Sequence, residues 1–271
     1  MRVRPPAVAG MFYPGERGRL RSMIDGFLDQ ARGGCPDFAS VRAVIVPHAG
    51  YVYSGSTAAL AYAGVERLAD NVKHVVIVGP THRVGIHGIA LPDADAMATP
   101  LGNVAVWADG AKRALEQPQV VVSAAVHQDE HSLEVQVPFL QVVLPDADIL
   151  PLAAGWVEPA AVTCVLDAVW GPDTLVVISS DLSHYHRYDE ARQIDRASVD
   201  QILNRDPNLD HDQACGATGV NALALAARDR HLRPQLLGLC NSGDTASDKH
   251  RVVGYAALSF HQDQQGQEAL R

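Results

Sequence analysis

The sequence predicts a three-layer α/β fold, in which a largely parallel central sheet is flanked by helices. Several short β-branched runs are apolar throughout rather than alternating with polar residues, which is typical of strands covered on both faces. Segments of helical length separate these runs, and this alternation favours a sheet between two helical layers. The length of 271 residues and the hydrophobic content of 47% suit one undivided domain.

The individual elements follow from these patterns in chain order. Strands are predicted at Val44–Val46, Val75–Val78, Val120–Val122, Leu175–Ile178 and Val252–Val253 continuing into Tyr255–Leu258. Helices are predicted at Gly18–Ala31, Ser56–Leu68, Gly110–Glu116, Glu158–Val169, Ala191–Asn204 and Gly219–Arg230. The segment Glu130–Leu144 has no clear assignment, because Pro138 would break or kink a helix there. We predict a single domain over residues 1–260 and a polar C-terminal tail at 261–271.

Composition restricts the classes of partner and the compartment. The net charge of -9 is spread along the chain, and it argues against nucleic-acid and anionic-membrane partners, since both favour a basic face. The four cysteines form no Cys-x-x-Cys pair, which favours reduced thiols and a cytoplasmic location. We find neither a secretory signal nor a run of apolar residues long enough to span a membrane. Three of the cysteines are expected to be structural, namely Cys35, Cys164 and Cys240.

Histidines follow three of the predicted strands. His48 comes after Val44–Val46, His82 after Val75–Val78, and His184 after Leu175–Ile178. In open parallel sheets, ligands bind outside the carboxyl ends of the strands, so loops at that edge can converge on one crevice. A lone loop histidine carries little information, but three in the same topological position predict a shared site.

Metal binding is the chemistry that this set favours. Neutral imidazole is a common ligand of iron, copper and zinc. Asp181 lies three residues before His184, and three interpretations of its role are open. It is a direct ligand, a carboxylate that orients an imidazole, or the partner of His184 in general acid–base chemistry. His186 is expected to face solvent.

Other residues leave alternatives open. Cys215 precedes a predicted helix, whose positive end favours the metal-binding thiolate, but the residues alone favour a small buried apolar side chain. His127 and His131 are four residues apart, and we expect a helix end lining the cleft rather than a second metal site. Asp244 is expected to cap a turn. The nucleophile-elbow and phosphate-loop motifs of hydrolases and nucleotide-binding proteins are not found in the sequence.

Seven sequence blocks, taken together, resemble the Memo family, whose bacterial and archaeal members are called AmmeMemoRadiSam system protein B. In order, they are Arg4–Pro14, Pro47–Tyr51, Gly79–His82, Glu130–Glu134, Ser180–His184, Cys215–Gly216 and Val253–Ala257. The resemblance extends from about Arg4 to Phe260. It implies a fold similar to the class III extradiol dioxygenases, which are non-haem iron enzymes.

The resemblance also implies roles for the candidate residues. His48, His82 and Cys215 match the family's metal ligands, which reverses the preference for a buried structural Cys215. Asp181 and His184 match the pair beside the metal, and His184 matches the acid–base residue of the dioxygenases. A cysteine stands where those enzymes have a carboxylate, which shifts the metal preference toward copper or zinc while keeping iron. Ring cleavage therefore does not transfer with the fold.

Two functions follow as expectations. The first is a metal-dependent oxidoreductase, dioxygenase-like, that uses iron or copper (zinc is the third option) on an unknown small-molecule or peptide substrate. The second is a non-catalytic binding module that acts with a radical-SAM protein and a small companion protein, as the family's prokaryotic name implies. A redox metal with turnover distinguishes the first function from the second.

Overall fold

The computed structural model describes residues 1–33, 38–245 and 248–262. The predicted α/β class is confirmed, because within these residues helices flank a large sheet of nine strands. The strands are β1 (Val3–Arg4), β2 (Val41–Val46), β3 (His74–Pro80), β4 (Ile89–Leu91), β5 (Ala96–Thr99), β6 (Gly102–Ala105), β7 (Val120–Val122), β8 (Asp148–Ala154), β9 (Thr174–Ser179), β10 (His184–His186), β11 (Leu232–Asn241) and β12 (Val252–Gln262). The α-helices are α1 (Arg17–Arg32), α2 (Tyr51–Val65), α3 (Ala108–Leu115), α4 (Ala124–Gln128), α5 (Val137–Val143), α6 (Pro159–Val169), α7 (Tyr188–Leu203), α8 (Ala217–Asp229) and α9 (Ser242–Thr245).

The large sheet has a parallel centre and antiparallel additions. Its strand order is β10-β12-β2-β9-β3-β8-β4-β7, with β11 also paired to β12, and the four strands β2, β9, β3 and β8 run parallel. Antiparallel pairing joins β12 to β2 and β4 to β8. A separate three-stranded sheet contains β1, β5 and β6. The parallel character that the apolar runs predict therefore belongs to the centre, where both faces are covered.

The central strands divide their side chains between two cores. Val75 and Ile77 of β3 face the core that includes Leu20 of α1 and Phe139 of α5. Val76 and its alternate neighbours face the other core, which α6 and α8 cover. This alternation is the period of two expected of a strand, and it explains why the runs are apolar at every position.

The sequence pattern misassigned several elements. β8 was not predicted. It contains Pro151, which lies opposite Ile77 in a parallel ladder. The half-exposed strand β11 was missed as well. Pro138 does not break a helix but lies in the first turn of α5, where its missing N–H is not needed. α2 begins at Tyr51, five residues before the predicted start.

The end of the chain also differs from the prediction. β12 continues through Gln262, so the first two residues assigned to the polar tail belong to a strand. The remainder of the predicted tail, 263–271, and Cys35 lie outside the described residues. Among the helices that the structure describes, none has the length and apolar character required to cross a bilayer.

Candidate metal centre

The carboxyl ends of three neighbouring strands form the floor of the site. β9 lies between β2 and β3, and all three run parallel. His48 follows β2, Asp181 follows β9, and His82 follows β3, so the polar side chains leave the sheet at the same edge. Cys215 reaches this edge from the turn that precedes α8.

The structure brings two predicted histidines and the predicted cysteine together. Cys215 Sγ lies 3.2 Å from His48 Nε2. The potential ligand atoms of His48, His82 and Cys215 all lie within 4.8 Å of one another. The rings of His48 and His82 meet edge to face, with centroids 5.2 Å apart. Two imidazole nitrogens and one sulfur therefore face a common point.

A buried neutral network holds the ring of His48. Ser179 Oγ donates to the carbonyl of Ser132 at 2.6 Å and accepts from the side-chain amide of Gln136 at 2.7 Å. Tyr62 donates to the amide oxygen of Gln136, which fixes the orientation of that amide. Because the Ser179 hydrogen is already donated, His48 Nδ1, at 2.9 Å from Ser179 Oγ, is the donor. His48 Nε2 therefore carries the lone pair that faces Cys215.

A carboxylate holds His82. Glu130 Oε1 lies 2.9 Å from His82 Nδ1, and Oε2 accepts from the His82 backbone N–H. Glu130 also accepts from the backbone N–H groups of His131 and Ser132, both at 2.9 Å. Burial by itself raises the pKa of Glu130, but these hydrogen bonds and the electrostatic interaction with His82 outweigh it and hold the pKa well below the usual range. The charged carboxylate fixes Nδ1 of His82 as the donor and leaves Nε2 for a metal.

His131 lies in the cleft, where the sequence pattern predicted a helix end rather than a metal ligand. Its ring stacks on that of His82 with centroids 4.5 Å apart, and it approaches His48 at 5.4 Å. The potential ligand atoms of His82, Glu130 and His131 also lie within 4.8 Å of one another. Glu130 is already occupied by four donors, so we interpret this second group as the support of His82. The Glu130-His131-Ser132 block was the signal that marked it.

Asp181 and His184 lie at the cleft but do not hydrogen-bond to each other in the structure. Asp181 Oδ1 accepts from the His48 backbone N–H at 2.8 Å, and His184 Nδ1 contacts the Leu182 carbonyl at 2.8 Å. The option that Asp181 orients the imidazole of His184 therefore has no support in these contacts. The carbonyl accepts from His184 Nδ1–H, which leaves Nε2 with its lone pair.

Burial keeps most of the site uncharged in the metal-free protein. It raises the pKa of Asp181 to about 7 and that of Cys215 to about 12. It also lowers the pKa of His48 well below its usual value and that of His184 in the same direction. Neutral imidazole is the form that binds metals, while a metal would displace the thiol proton of Cys215.

An open cleft of about 500 Å³ lies beside these residues. This volume suits a small molecule. The cleft is lined by Phe12, Ala49, Gly50, Tyr53, His131, Asp181, His184, Tyr185, Ser242, Asp248, Arg251, Val253 and Tyr255. The wall thus combines aromatic surface with carboxyl, imidazole, hydroxyl and guanidinium groups.

The remaining histidine and aspartate candidates have other contacts. His127 is buried, and its Nε2 lies 2.8 Å from the Ala90 carbonyl. His186, at the end of β10 and 34% exposed, lies 3.3 Å from Glu190 in the first turn of α7. Asp244 accepts from Tyr188 and from the backbone N–H of Asn241 at 2.9 Å, so it caps the start of the short helix α9, where a turn was predicted.

The other cysteines have different surroundings. Cys164 is exposed, and Cys240 is half-buried with its sulfur 3.0 Å from Thr57 Oγ1. Neither belongs to a group of potential metal ligands among the residues that the structure describes.

The donor set fits a transition metal. Two imidazoles whose Nδ1 hydrogens are held elsewhere present their Nε2 atoms beside a thiol. This is the combination that binds copper, zinc or iron. A hard ion such as Mg²⁺ prefers oxygen ligands, which the set of His48, His82 and Cys215 lacks.

Comparison with known proteins agrees with the blocks identified in the sequence. The family model for Memo-like proteins matches residues 4–259. The chain is 34% identical to a MEMO1 family protein of Metallosphaera sedula and 34% identical to one of Archaeoglobus fulgidus, and each match covers 95% of this chain and 99% of the relative. A MEMO1 family protein of Aquifex aeolicus is 32% identical, with 96% of this chain and the whole relative covered. Full-length matches of this kind, together with the site described above, make the chain a member of the Memo family.

Proposed function

We propose that this protein is a metal-dependent oxidoreductase that binds iron or copper, with zinc as the third option, through His48, His82 and Cys215. The observation that supports the proposal is the mutual approach of their ligand atoms to within 4.8 Å. A soft thiolate beside two imidazoles favours copper(I) and zinc and still accommodates iron. When bound, iron or copper would supply one-electron chemistry at the floor of the cleft.

The side chains of the cleft supply the remaining functions. In this proposal His184 Nε2 accepts a proton, and the contact of Nδ1 with the Leu182 carbonyl supports that role, since it leaves Nε2 with the lone pair. Asp181, with a pKa raised to about 7 by burial, can hold a proton near neutral pH. The proposal includes a cytoplasmic location, since a free thiol ligand is preserved by a reducing compartment.

Metal content provides the test of this proposal. Protein purified without oxygen is analysed for transition metals as wild type, as Cys215→Ser and as Cys240→Ser. We expect stoichiometric metal in the wild type and in Cys240→Ser, and strong loss in Cys215→Ser. The ligand assignment is wrong if Cys215→Ser keeps the full metal content. The oxidoreductase proposal fails if wild-type protein binds no transition metal at low micromolar concentration.

A partner-binding module is the second candidate function, and exposed apolar side chains near the cleft favour it. Met11 and Val52 are 73% and 64% exposed, and they adjoin Phe12 and Tyr53 of the cleft wall. This candidate predicts that a radical-SAM protein or its small companion binds the wild type and His184→Ala equally, and Val52→Asp more weakly. Equal binding of all three would exclude this surface.

A further inference from the structure

Tyr185 has an unusual backbone at the mouth of the cleft. Its φ is +66°, in the left-handed region that disfavours side chains larger than glycine. In the described part of the chain, the two other non-glycine residues with positive φ are Arg205 and His231. They lie just beyond the ends of α7 and α8, where this conformation is common. Tyr185 instead lies within β10.

A bulge in the sheet accounts for this conformation. His184 pairs with Val253 and His186 with Val252, so Tyr185 is the extra residue that no partner opposes. Bulges next to functional sites redirect a side chain. Here Tyr185 is 62% exposed while His184 remains in the cleft, with the two ring centroids 5.7 Å apart. Residues held in this strained region cluster at active sites and ligand-binding sites, which makes Tyr185 a candidate for ligand contact.

Arg251 lies over the same ring. Its Cζ is 4.8 Å from the Tyr185 centroid, and both residues line the cleft. Among the described residues, Arg251 has no ion pair, although Asp248 lines the same cleft. Asp248 Oδ1 instead accepts from the backbone N–H of His250 at 2.8 Å. The tyrosine face holds the guanidinium, whose hydrogen-bonding edges remain for a ligand.

We infer that Tyr185 and Arg251 form an anion-binding end of the cleft, and that the substrate is a small organic carboxylate with a flat apolar body. A guanidinium binds a carboxylate through two parallel hydrogen bonds. Arg251 is the one arginine or lysine in the described lining, which also contains Asp181 and Asp248, so a single negative charge is favoured over a phosphate dianion. Phe12 and Tyr53 supply aromatic wall for the body of the ligand.

This inference rests on the proposed function for the identity of the metal end, but its test does not. Binding of benzoate to the metal-free full-length chain is measured by calorimetry, with benzamide as the neutral isostere. We expect benzoate to bind the wild type, and benzamide to bind at least roughly tenfold more weakly, since it lacks the charge. Failure of benzoate to bind, or equal binding of the two compounds, would overturn the inference.

Variants then assign the binding to this pair of residues. Arg251→Gln is expected to weaken benzoate binding roughly tenfold or more. Arg192→Gln is the matched control, because Arg192 also lies over a tyrosine ring, that of Tyr188 at 5.7 Å, but does not line the cleft. We expect the control to bind benzoate as the wild type does. Equal weakening by the two substitutions would remove Arg251 from the site.

The backbone of Tyr185 gives an independent readout. Tyr185→Gly accommodates positive φ without strain, so we expect weaker benzoate binding with no loss of thermal stability. A lowered melting temperature would instead make the ring a structural element and contradict its assignment. Metal content of Arg251→Gln is expected to equal that of the wild type. Loss of benzoate binding therefore remains distinguishable from failure of the metal site.

Discussion

Glu130 and Asp181 each accept from the backbone N–H of a histidine at the floor of the cleft. These two carboxyl groups differ in charge, and so do the two sides of the site that they support. Glu130 accepts from His82, and Asp181 accepts from His48. Both are almost fully buried. Their pKa values nevertheless move in opposite directions, since that of Glu130 falls well below its usual range and that of Asp181 rises to about 7.

The number and kind of donors explain this difference. Glu130 receives a side-chain hydrogen bond from His82 in addition to backbone N–H groups, and these contacts outweigh the desolvation that raises its pKa. Asp181 receives backbone N–H groups of His48 and Ala49, which do not offset its burial. One side of the centre therefore has a permanently charged support, while the other has a group that takes up a proton near neutral pH.

Arg4 is the residue whose loss should affect the Glu130 side most strongly. Its guanidinium pairs with the fully buried Glu134 and donates to the Glu130 carbonyl at 2.7 Å. Arg4→Met leaves the Glu134 charge buried without its partner, so the free energy of unfolding should fall by about 3–5 kcal/mol. Urea denaturation measures the change.

The control for this substitution is an exposed ion pair. Arg21 and Asp25 are 56% and 41% exposed and lie one helical turn apart. Arg21→Met is expected to cost less than about 1 kcal/mol. Similar losses in the two variants would contradict the special role of the buried pair.

The raised pKa of Asp181 should make the free energy of unfolding depend on pH. The folded-state pKa of Asp181, about 7, lies above the ordinary aspartate value of 3.8. The folded state therefore gains stability from binding a proton at Asp181. This contribution to the free energy of unfolding is fully present below about pH 3.8 and is lost as the pH rises toward 7. The loss reaches about 4 kcal/mol, since one pKa unit corresponds to about 1.4 kcal/mol. Denaturation of metal-free wild type and Asp181→Asn between pH 4 and 8 measures the difference, and parallel curves would refute it.

The sequence predicts the edge of the sheet at which Glu130 and Asp181 support the two histidines. β-branched runs such as Val75–Val78 identify the buried parallel strands, and the residues after each run then fall at one edge of the sheet. The approach of Cys215 could not be read from spacing, because it is 167 residues from His48 in the chain. The family resemblance supplied it.

The supports of the histidines remained hidden for a similar reason. Ser179 contacts the His48 ring from 131 residues away in the chain. Gln136 donates to the carbonyl of Pro47, the residue before His48, from 89 residues away. Glu130 was marked by its sequence block, but its charge state depends on how many N–H groups surround it in the folded chain. Local patterns do not contain that number. β8 was missed for a different, local reason, because Pro151 interrupts its apolar run and a proline argues against a central strand.

Glu130→Gln tests whether the charged support strengthens metal binding. The amide is a weaker acceptor for His82 Nδ1–H, so His82 becomes a poorer ligand, and the affinity for Co²⁺ should fall by about 10–100-fold. Competition with a chelator measures the affinity. Glu116→Gln, at an exposed helix end, is the control and should leave the affinity unchanged. Unchanged affinity in Glu130→Gln would show that its charge does not influence the centre.

Ser179→Ala should have the smallest effect on metal affinity, because the support of His48 is neutral. Removing the hydroxyl leaves His48 Nδ1–H without its acceptor, but it removes no charge, so the Co²⁺ affinity should fall by no more than about tenfold. Ser198→Ala is the matched control, since that buried hydroxyl donates within α7 to the Ile194 carbonyl. If Ser179→Ala weakened Co²⁺ binding more than Glu130→Gln, the orientation of the His48 ring would influence the affinity more than the charge beside His82. The position of His48 would then determine the Co²⁺ affinity more strongly than the charge of Glu130 does. The difference between Glu130 and Asp181 would matter only for which group takes up a proton near neutral pH.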